Sequence, residues 1–344
     1  MKLGIIGLPQ SGKTTVFEAL TKSTSGAAHK GDDRISMILV PDRRIDILSE
    51  MYQPQKTTYA RVEYFLPGTG AAKKDHPKDQ SLWTAVRDCD ALIHVIRNHT
   101  AMGFEKKAPD EDFVKMDQEL ILADLVVVEK RLERLEMDHR RGKKIDPQEH
   151  SLLVECQKKL ENETPLRRVA DLASAPLLRG FAFLSAKPML VLFNNDDEDD
   201  RLPDIDNITR VEACLAIRGK LEQELTQMSV EEAAEFLNEF NISESAMDKV
   251  IRESYSLLGL ISFFTVGSDE VRAWSIKGGT EAVDAAEAVH SDMKKGFIRA
   301  EVLAYDDLMD AGSYAAARKK GTVRLEGKNY EVKDGDIINI RFNV

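Results

Sequence analysis

Eight residues near the N-terminus, Gly7-Leu8-Pro9-Gln10-Ser11-Gly12-Lys13-Thr14, satisfy Gly-x-x-x-x-Gly-Lys-[Ser/Thr] at every defined position and leave few folds open. The run stands between Lys2–Ile6, which reads as a short buried strand, and a helix that begins over Thr15–Leu20. Strand, glycine-bounded loop and helix in that order open a parallel α/β sheet. The glycines let the backbone curl so that successive N–H groups point inward at phosphate oxygens. Lys13 brings its ammonium to the outer phosphates, the Thr14 hydroxyl is placed to ligate Mg²⁺, and the helix adds its positive N-terminus. The phosphate-binding set is therefore Gly7, Pro9, Gln10, Ser11, Gly12, Lys13, Thr14 and Thr15, with Mg²⁺ accompanying the nucleotide on Thr14.

Further apolar runs at Val62–Leu66, Ala91–Ile96 and Met189–Phe193 read as buried strands separated by polar helical segments, as parallel crossovers require. Between the last two, Ile121, Leu125, Val128, Leu132 and Leu135 recur at spacings of four and three, the seam of a coiled coil. The basic run Arg140-Arg141-Gly142-Lys143-Lys144 interrupts it. Asp146-Pro147-Gln148-Glu149 then starts a second helix with a capping carboxylate, a proline at the first helical position and a glutamate three residues after the cap. Leu153, Cys156 and Leu160 continue the apolar face, so residues 117–163 read as an antiparallel helical hairpin. Residues 229–258 form a helical bridge. Beyond it, Ile261–Val266 and Val271–Ile276 flank a turn at Gly267–Glu270, a helix covers Ala282–His290, and Val323–Leu325, Tyr330–Val332 and Ile337–Phe342 read as short strands. One helix across a small mixed sheet is a β-grasp plan.

The formal charge of −11 excludes generic polyanion binding, so any contact with nucleic acid needs a local basic patch. Cys89, Cys156 and Cys214 are far apart without Cys-x-x-Cys spacing, which suggests neither a zinc site nor a disulfide framework. No apolar run approaches the roughly 18 residues of a membrane span. A cytoplasmic monomer with no membrane partner is expected.

The phosphate loop alone does not choose between kinases, ATPases and GTPases. The C-terminal third does. Phe264-Thr265-Val266-Gly267, Glu270-Val271-Arg272-Ala273-Trp274, His290-Ser291-Asp292, Lys295-Gly296-Phe297-Ile298-Arg299-Ala300-Glu301-Val302 and Asp334-Gly335-Asp336-Ile337-Ile338 closely resemble the TGS domain that ends YchF (Obg-like) proteins. Pro9, Val40-Pro41-Asp42-Arg43, the helical insertion and Lys187-Pro188 fall in that family's order, and the resemblance covers nearly the whole chain. It implies a Ras-like P-loop NTPase domain over 1–116 and 164–256, a coiled-coil hairpin over 117–163 and a TGS-like β-grasp domain over 257–344. It also implies ATP or GTP as ligand, often with ATP preferred, and the ribosome or RNA as partner through the hairpin tip and the TGS domain.

The chain departs from the family where hydrolysis is organised. The switch-I threonine position, counted back from Pro41-Asp42, falls on Lys30. Leu66 stands where the aspartate of Asp-x-x-Gly belongs, followed by Pro67-Gly68-Thr69-Gly70. Phosphoryl transfer needs positioned Mg²⁺ and an aligned water, so slow or impaired hydrolysis is predicted, with a non-hydrolysing scaffold as the alternative. For the base, Asn194 holds the loop and Asp197, three residues on, accepts from guanine N1 and N2. A one-residue slip pairs Asn195 with Glu198 instead, the form usual in the family. The last base-contacting loop is expected near Cys214–Ile217. His76 reads as a solvated loop residue against a general-base role, and His94 as a satisfied buried or edge histidine. Lys294, Lys295, Arg299 and Arg318-Lys319-Lys320 form either a basic face for RNA phosphates or a plain solvated surface.

Overall fold

The structure, a computed structural model, describes residues 1–22, 32–68, 78–100, 107–239 and 244–343. The chain opens with β1 (Lys2–Ile6), α1 (Lys13–Thr21), β2 (Arg34–Leu39), α2 (Arg43–Tyr52), β3 (Lys56–Thr58), β4 (Arg61–Leu66), α3 (Lys78–Arg87) and β5 (Ala91–Asn98). Next come α4 (Pro109–Arg140), α5 (Pro147–Glu161), α6 (Ala170–Ser174), β6 (Met189–Asn195), α7 (Asp206–Thr209), β7 (Ala213–Ile217), α8 (Gly219–Leu225), α9 (Val230–Glu239) and α10 (Ala246–Leu257). The remainder holds β8 (Leu260–Val266), β9 (Glu270–Lys277), α11 (Ala282–Val289), α12 (Ser291–Lys295), β10 (Phe297–Ala304), α13 (Tyr305–Ala311), α14 (Tyr314–Lys320), β11 (Arg324–Glu326) and β12 (Asp336–Phe342). Two compact units result, Met1–Ser36 with Glu63–Val250 and Met37–Val62 with Ile251–Val344.

The first unit is built on a six-stranded sheet of order β2-β4-β1-β5-β6-β7, in which β1 runs parallel to β4 and β5, and β6 parallel to β5 and β7. Every residue of β6 is buried, and all but one of β5. That is why both strands read as near-continuous apolar runs, since a parallel sheet is covered on both faces. Both extend two residues beyond their apolar stretches, to Asn98 and Asn195. These polar ends lie at the carboxyl edge of the sheet, where open α/β folds place ligands.

The long α4 begins at Pro109, eight residues before the expected start of the hairpin. Proline at its first position and Asp110, Glu111 and Asp112 in its first turn favour a helix start there. Its first turns carry Phe113, Met116 and Leu120 into the core of the sheet, while Ile121, Val128, Leu132 and Leu135 form a second core with Leu153, Cys156 and Leu160. The coiled-coil spacing records only the second of these. Asp146 caps α5 through the N–H groups of Gln148 (2.8 Å) and Glu149 (3.4 Å). Glu149 reaches across to Arg131 of α4 (2.8 and 2.9 Å), tying the two helices side by side. Among the described residues no helix is long and apolar enough to cross a membrane. The cysteines are free, and burial pushes the Cys156 thiol up to about 12.

Two buried carboxylates fasten the root of α4. Asp124, fully buried, accepts from the N–H groups of Leu184 (3.0 Å) and Ser185 (2.7 Å) and from Arg87 (2.9 Å). Asp117 pairs with Arg167 at 2.7 Å, and Arg167 pairs with Glu212 at 2.7 Å.

The second unit has a six-stranded sheet of order β11-β10-β12-β8-β9-β3. The hairpin β8–β9 is antiparallel, β10 lies antiparallel to β11 and β12, and α11 packs over Phe263, Ile276, Ala300, Val302 and Ile338. Its far edge, β3, comes from the early chain and pairs parallel with β9. The segment 37–62 is held there by Arg44, which donates to Asp42 (2.8 Å) and Asp334 (2.7 Å), and by Thr58, which donates to Glu270 (2.6 Å). The segment holding Tyr330–Val332, expected as a strand, instead supplies the carbonyls of Lys328 and Tyr330 to the start of α11. Ala282 N donates to Tyr330 O (2.7 Å) and Val283 N to Lys328 O (3.2 Å), leaving one isolated bridge at Glu331. β10 went unread as a strand because four of its residues, Ala300–Leu303, are buried in succession rather than alternately.

Arg167→Ala is expected to destabilise the protein by about 3–5 kcal/mol, because Asp117 would stay buried without its cation and Glu212 would keep only the half-exposed Arg168. Arg168, whose side chain is 37% exposed beside the same Glu212, should cost below about 1 kcal/mol on the same change. Chemical denaturation of the two variants measures the contrast.

Candidate nucleotide site

The loop from Gly7 to Gly12 leaves the carboxyl end of β1, and α1 starts at Lys13, two residues earlier than expected. Gly12 takes a left-handed conformation (φ 96°), and a Cβ there would stand 2.2 Å from Asn194 Nδ2. Only glycine serves both demands. Lys13 Nζ donates to the carbonyls of Gly7 (2.8 Å) and Leu8 (2.7 Å), folded back over the loop it belongs to. Burial with no carboxylate partner lowers its pKa to about 8. Ser11 is buried, and its hydroxyl has no hydrogen-bond partner among the described residues. Thr14 is exposed at the mouth of a cleft of about 810 Å³ that Pro9, Gln10, Gly12, Lys13 and Thr15 also line.

Asn194, at the end of β6, closes the site from the other side. Its Nδ2 donates to Ser11 O (3.1 Å), and its Oδ1 accepts from Gly219 N (3.0 Å) at the start of α8. One buried amide thus ties the phosphate loop to the first turn of a helix 25 residues further along. A Cβ at Gly219 would stand 2.7 Å from Asn194 Oδ1. Asn195 does different work. It accepts from Asn98 (2.8 Å) and donates to the carbonyls of Asp199 (3.0 Å) and Arg201 (2.7 Å), shaping the acidic loop. Asp197 lines the cleft, with Lys220 Nζ 3.6 Å from its carboxylate. Asn194, Asn195 and Asp197 all line the cleft, whereas Glu198 is not among its described lining residues.

Five described lining residues lie outside the set expected from the sequence, Asp196 of the acidic loop among them. His99 and Thr100 follow β5, and Lys220 and Gln223 lie on α8. The expected base-contacting stretch Cys214–Ile217 is β7 itself, and the lining begins beyond it. Gly219 was the available signal, a glycine opening a helix at the end of a strand.

Leu66 is buried at the end of β4, so no carboxylate stands at that position. Just beyond it, Gly68 N donates to Asp33 (2.8 Å). Lys30, Thr69, Gly70 and His76 lie outside the described residues. Among the described residues no cluster of three or more His, Cys, Asp or Glu is arranged to hold a metal. Nucleotide-bound Mg²⁺ asks for less, because it keeps several waters and takes one or two protein oxygens. The accessible Thr14 hydroxyl fits that demand.

His94 departs from its expected satisfied state. It is buried and stacks on Phe113 at 5.7 Å, and neither ring nitrogen has a hydrogen-bond partner among the described residues. Burial, aided by the charges of Arg167 and Lys13, lowers its pKa to about 3, so it is neutral at physiological pH. On the β-grasp unit three of the six basic side chains singled out in the sequence meet carboxylates. Lys294 meets Asp284 (3.0 Å) and Glu287 (2.5 Å), Lys295 meets Asp292 (3.3 Å), and Arg318 meets Glu301 (2.7 Å).

A glycine loop closed by an asparagine at the carboxyl edge of a parallel sheet defines a P-loop NTPase of the Ras-like class. The family model YchF-GTPase_C, described as "Protein of unknown function (DUF933)", matches residues 260–343. The chain is 36% identical over 362 residues to the ribosome-binding ATPase YchF of Bacillus subtilis (strain 168), covering 99% of each chain. It is 36% identical over 360 residues to the protein of the same name from Haemophilus ducreyi, covering 100% of this chain and 99% of that one. The YchF GTPase of Schizosaccharomyces pombe superposes with a TM-score of 0.84 at 27% identity, covering 99% of this chain and 97% of that chain. The chain belongs to the YchF family.

The lowered pKa of Lys13 carries a pH signature. An arriving phosphate favours the charged ammonium, so above about pH 8 binding must take up a proton. Affinity for a nucleoside diphosphate is expected to be flat below that pH and to weaken as pH rises through it. Calorimetry in buffers of different ionisation heat at pH 8.5 should register the proton uptake.

Proposed function

We propose that this chain binds a purine nucleoside triphosphate with Mg²⁺ and uses the bound state to govern its attachment to the ribosome. The observation that carries this reading is the Asn194 clasp, which holds the phosphate loop and the first turn of α8 around one cleft. In it Gly7, Pro9, Gln10, Ser11, Gly12, Lys13, Thr14 and Thr15 take the phosphates, Thr14 contributes an oxygen to Mg²⁺, and Asp197 meets the base. The metal supplies charge neutralisation between the outer phosphates. The ribosomal partner is suggested by the relatives named ribosome-binding ATPases. The hairpin tip suits RNA phosphates, with Arg140 and Lys143 largely exposed on either side of Arg141 and Gly142.

Hydrolysis on this reading is slow. Leu66 offers neither charge nor hydrogen bond to a metal-bound water, whereas phosphate binding rests on the loop backbone and Lys13. The same leucine favours a second reading, a nucleotide-occupied scaffold without turnover.

Thermal unfolding with ATP, GTP and their diphosphates, with and without Mg²⁺, tests binding, since a ligand at 100 Kd stabilises by about 2.7 kcal/mol. Lys13→Ala should weaken triphosphate binding at least about tenfold; equal affinity in variant and parent would sink the site. Phosphate release above background separates the slow enzyme from the scaffold. Replacing Arg140, Arg141, Lys143 and Lys144 with glutamate should abolish salt-sensitive co-sedimentation with ribosomes. Retention would place the contact elsewhere.

A further inference from the structure

Asp197 and Lys220 line one end of the cleft 3.6 Å apart, and only Asp197 belongs to a recognisable motif. Other polar groups at that end are engaged. Asn194 is spent on Ser11 and Gly219, and Asn195 on Asn98 and the acidic loop. Asp196 accepts from the N–H (2.9 Å) and hydroxyl (3.1 Å) of Thr100, and Gln223 donates to Glu18 (2.7 Å). Among the described lining residues at that end, this leaves His99, Asp197 and Lys220, of which the last two lie within ion-pair distance of each other. The Lys220 ammonium stands 3.6 Å from Asp197 and 3.9 Å from Glu224 one turn along, held between two carboxylates. Its helix is fixed to the base-reading loop by the bond from Gly219 N to Asn194, so the two side chains enter the cleft in a set relation.

An isolated carboxylate at this place is an acceptor only. It welcomes the N1–H and N2–H donors of guanine and repels adenine, whose N1 is an acceptor. An ammonium beside it changes that edge to one acceptor and one donor. We infer that Lys220 is a specificity-determining residue that makes the site accept adenine as well as guanine. Its ammonium donates to adenine N1 while staying paired with Asp197, and swings toward Glu224 to free the carboxylate for guanine. This rests on the placement of the base against Asp197 proposed above.

Calorimetric titration of the full chain with ADP and with GDP provides the test, in the parent, Lys220→Met, Lys220→Arg and the double variant Lys220→Met with Asp197→Asn. The parent should bind both within a few fold. Lys220→Met should shift the affinity ratio about tenfold toward GDP, chiefly by loss of ADP, a shift at the low end for a hydrogen bond to a charged group because the pair is partly solvated. Lys220→Arg should keep the parental ratio, and the double variant should recover ADP, since an asparagine amide again offers a donor. The Lys220 side chain is 73% exposed, so its replacement does not threaten folding. An unchanged ratio in Lys220→Met, with both nucleotides still bound, overturns the inference and leaves the nucleotide site standing. Failure of the parent to bind either one overturns the site itself, and the inference with it.

Discussion

The bonds made by the Asn194 side chain organise the working end of this molecule. A phosphate loop is a strained object, with Gln10 and Gly12 in left-handed conformations and carbonyls crowded toward Lys13. It persists only where the surroundings over-determine it. Asn194 supplies that constraint from β6, the second strand away from β1 in the sheet, by holding Ser11 O and Gly219 N with the two ends of one amide. Because both bonds are buried, losing either leaves an unpaired backbone group at a cost of about 1–3 kcal/mol. Gly12 and Gly219 are the corollary. Each leaves room for the amide, and any side chain at either would displace it.

The hairpin depends on a different economy of contacts. A helix of 32 residues is about 48 Å long, and only its first turns rest on the sheet. Projecting it requires a root that resists rotation as well as separation, and apolar packing alone is non-directional. The buried carboxylates supply direction. Asp124 bonds two successive backbone N–H groups, and Asp117 shares Arg167 with Glu212. Such pairs are weak evidence for stability, but they specify one orientation of the helix. Further out, the seam of Val128, Leu132, Leu135, Leu153 and Leu160 packs together with Leu166, Leu172, Leu178 and Phe183, and at the tip Arg140 and Lys143 meet Glu136 and Asp138 of α4.

What could be read from the sequence follows the range of the interactions involved. The phosphate loop, the Asp146 cap and the seam are local patterns, and they were legible. The start of α4 was not, because its first turns answer to the sheet core and break the coiled-coil spacing. β3 is three residues long and exists only through pairing with Glu270–Arg272, more than two hundred positions away; no local propensity announces it. Tyr330–Val332 has strand-like residues, yet its carbonyls are consumed by the start of α11. His94 was expected to find a partner, and found Phe113 instead. In the site, residues belonging to a motif were legible, while Lys220 and Gln223 were hidden on a helix whose placement only the Asn194–Gly219 bond reveals.

The positions of Asn194 and Leu66 separate two capacities that P-loop proteins usually combine. Phosphate capture is carried by backbone N–H groups, Lys13 and the helix N-terminus, all held by the Asn194 clasp on one side of the cleft. By the family resemblance, sensing the terminal phosphate and aligning water would fall to the segments after α1 and β4, at the positions of Lys30 and Leu66. A buried leucine at the end of β4 packs into the sheet and cannot change partners with the state of the phosphate. On the proposed reading, Lys13 and Thr14 are the described residues placed to distinguish a triphosphate from a diphosphate. A ligand shifts an equilibrium only by its differential affinity for the two states. On the same reading, the first turn of α1 and the clasp that ties its loop to α8 are where the described residues could register such a difference.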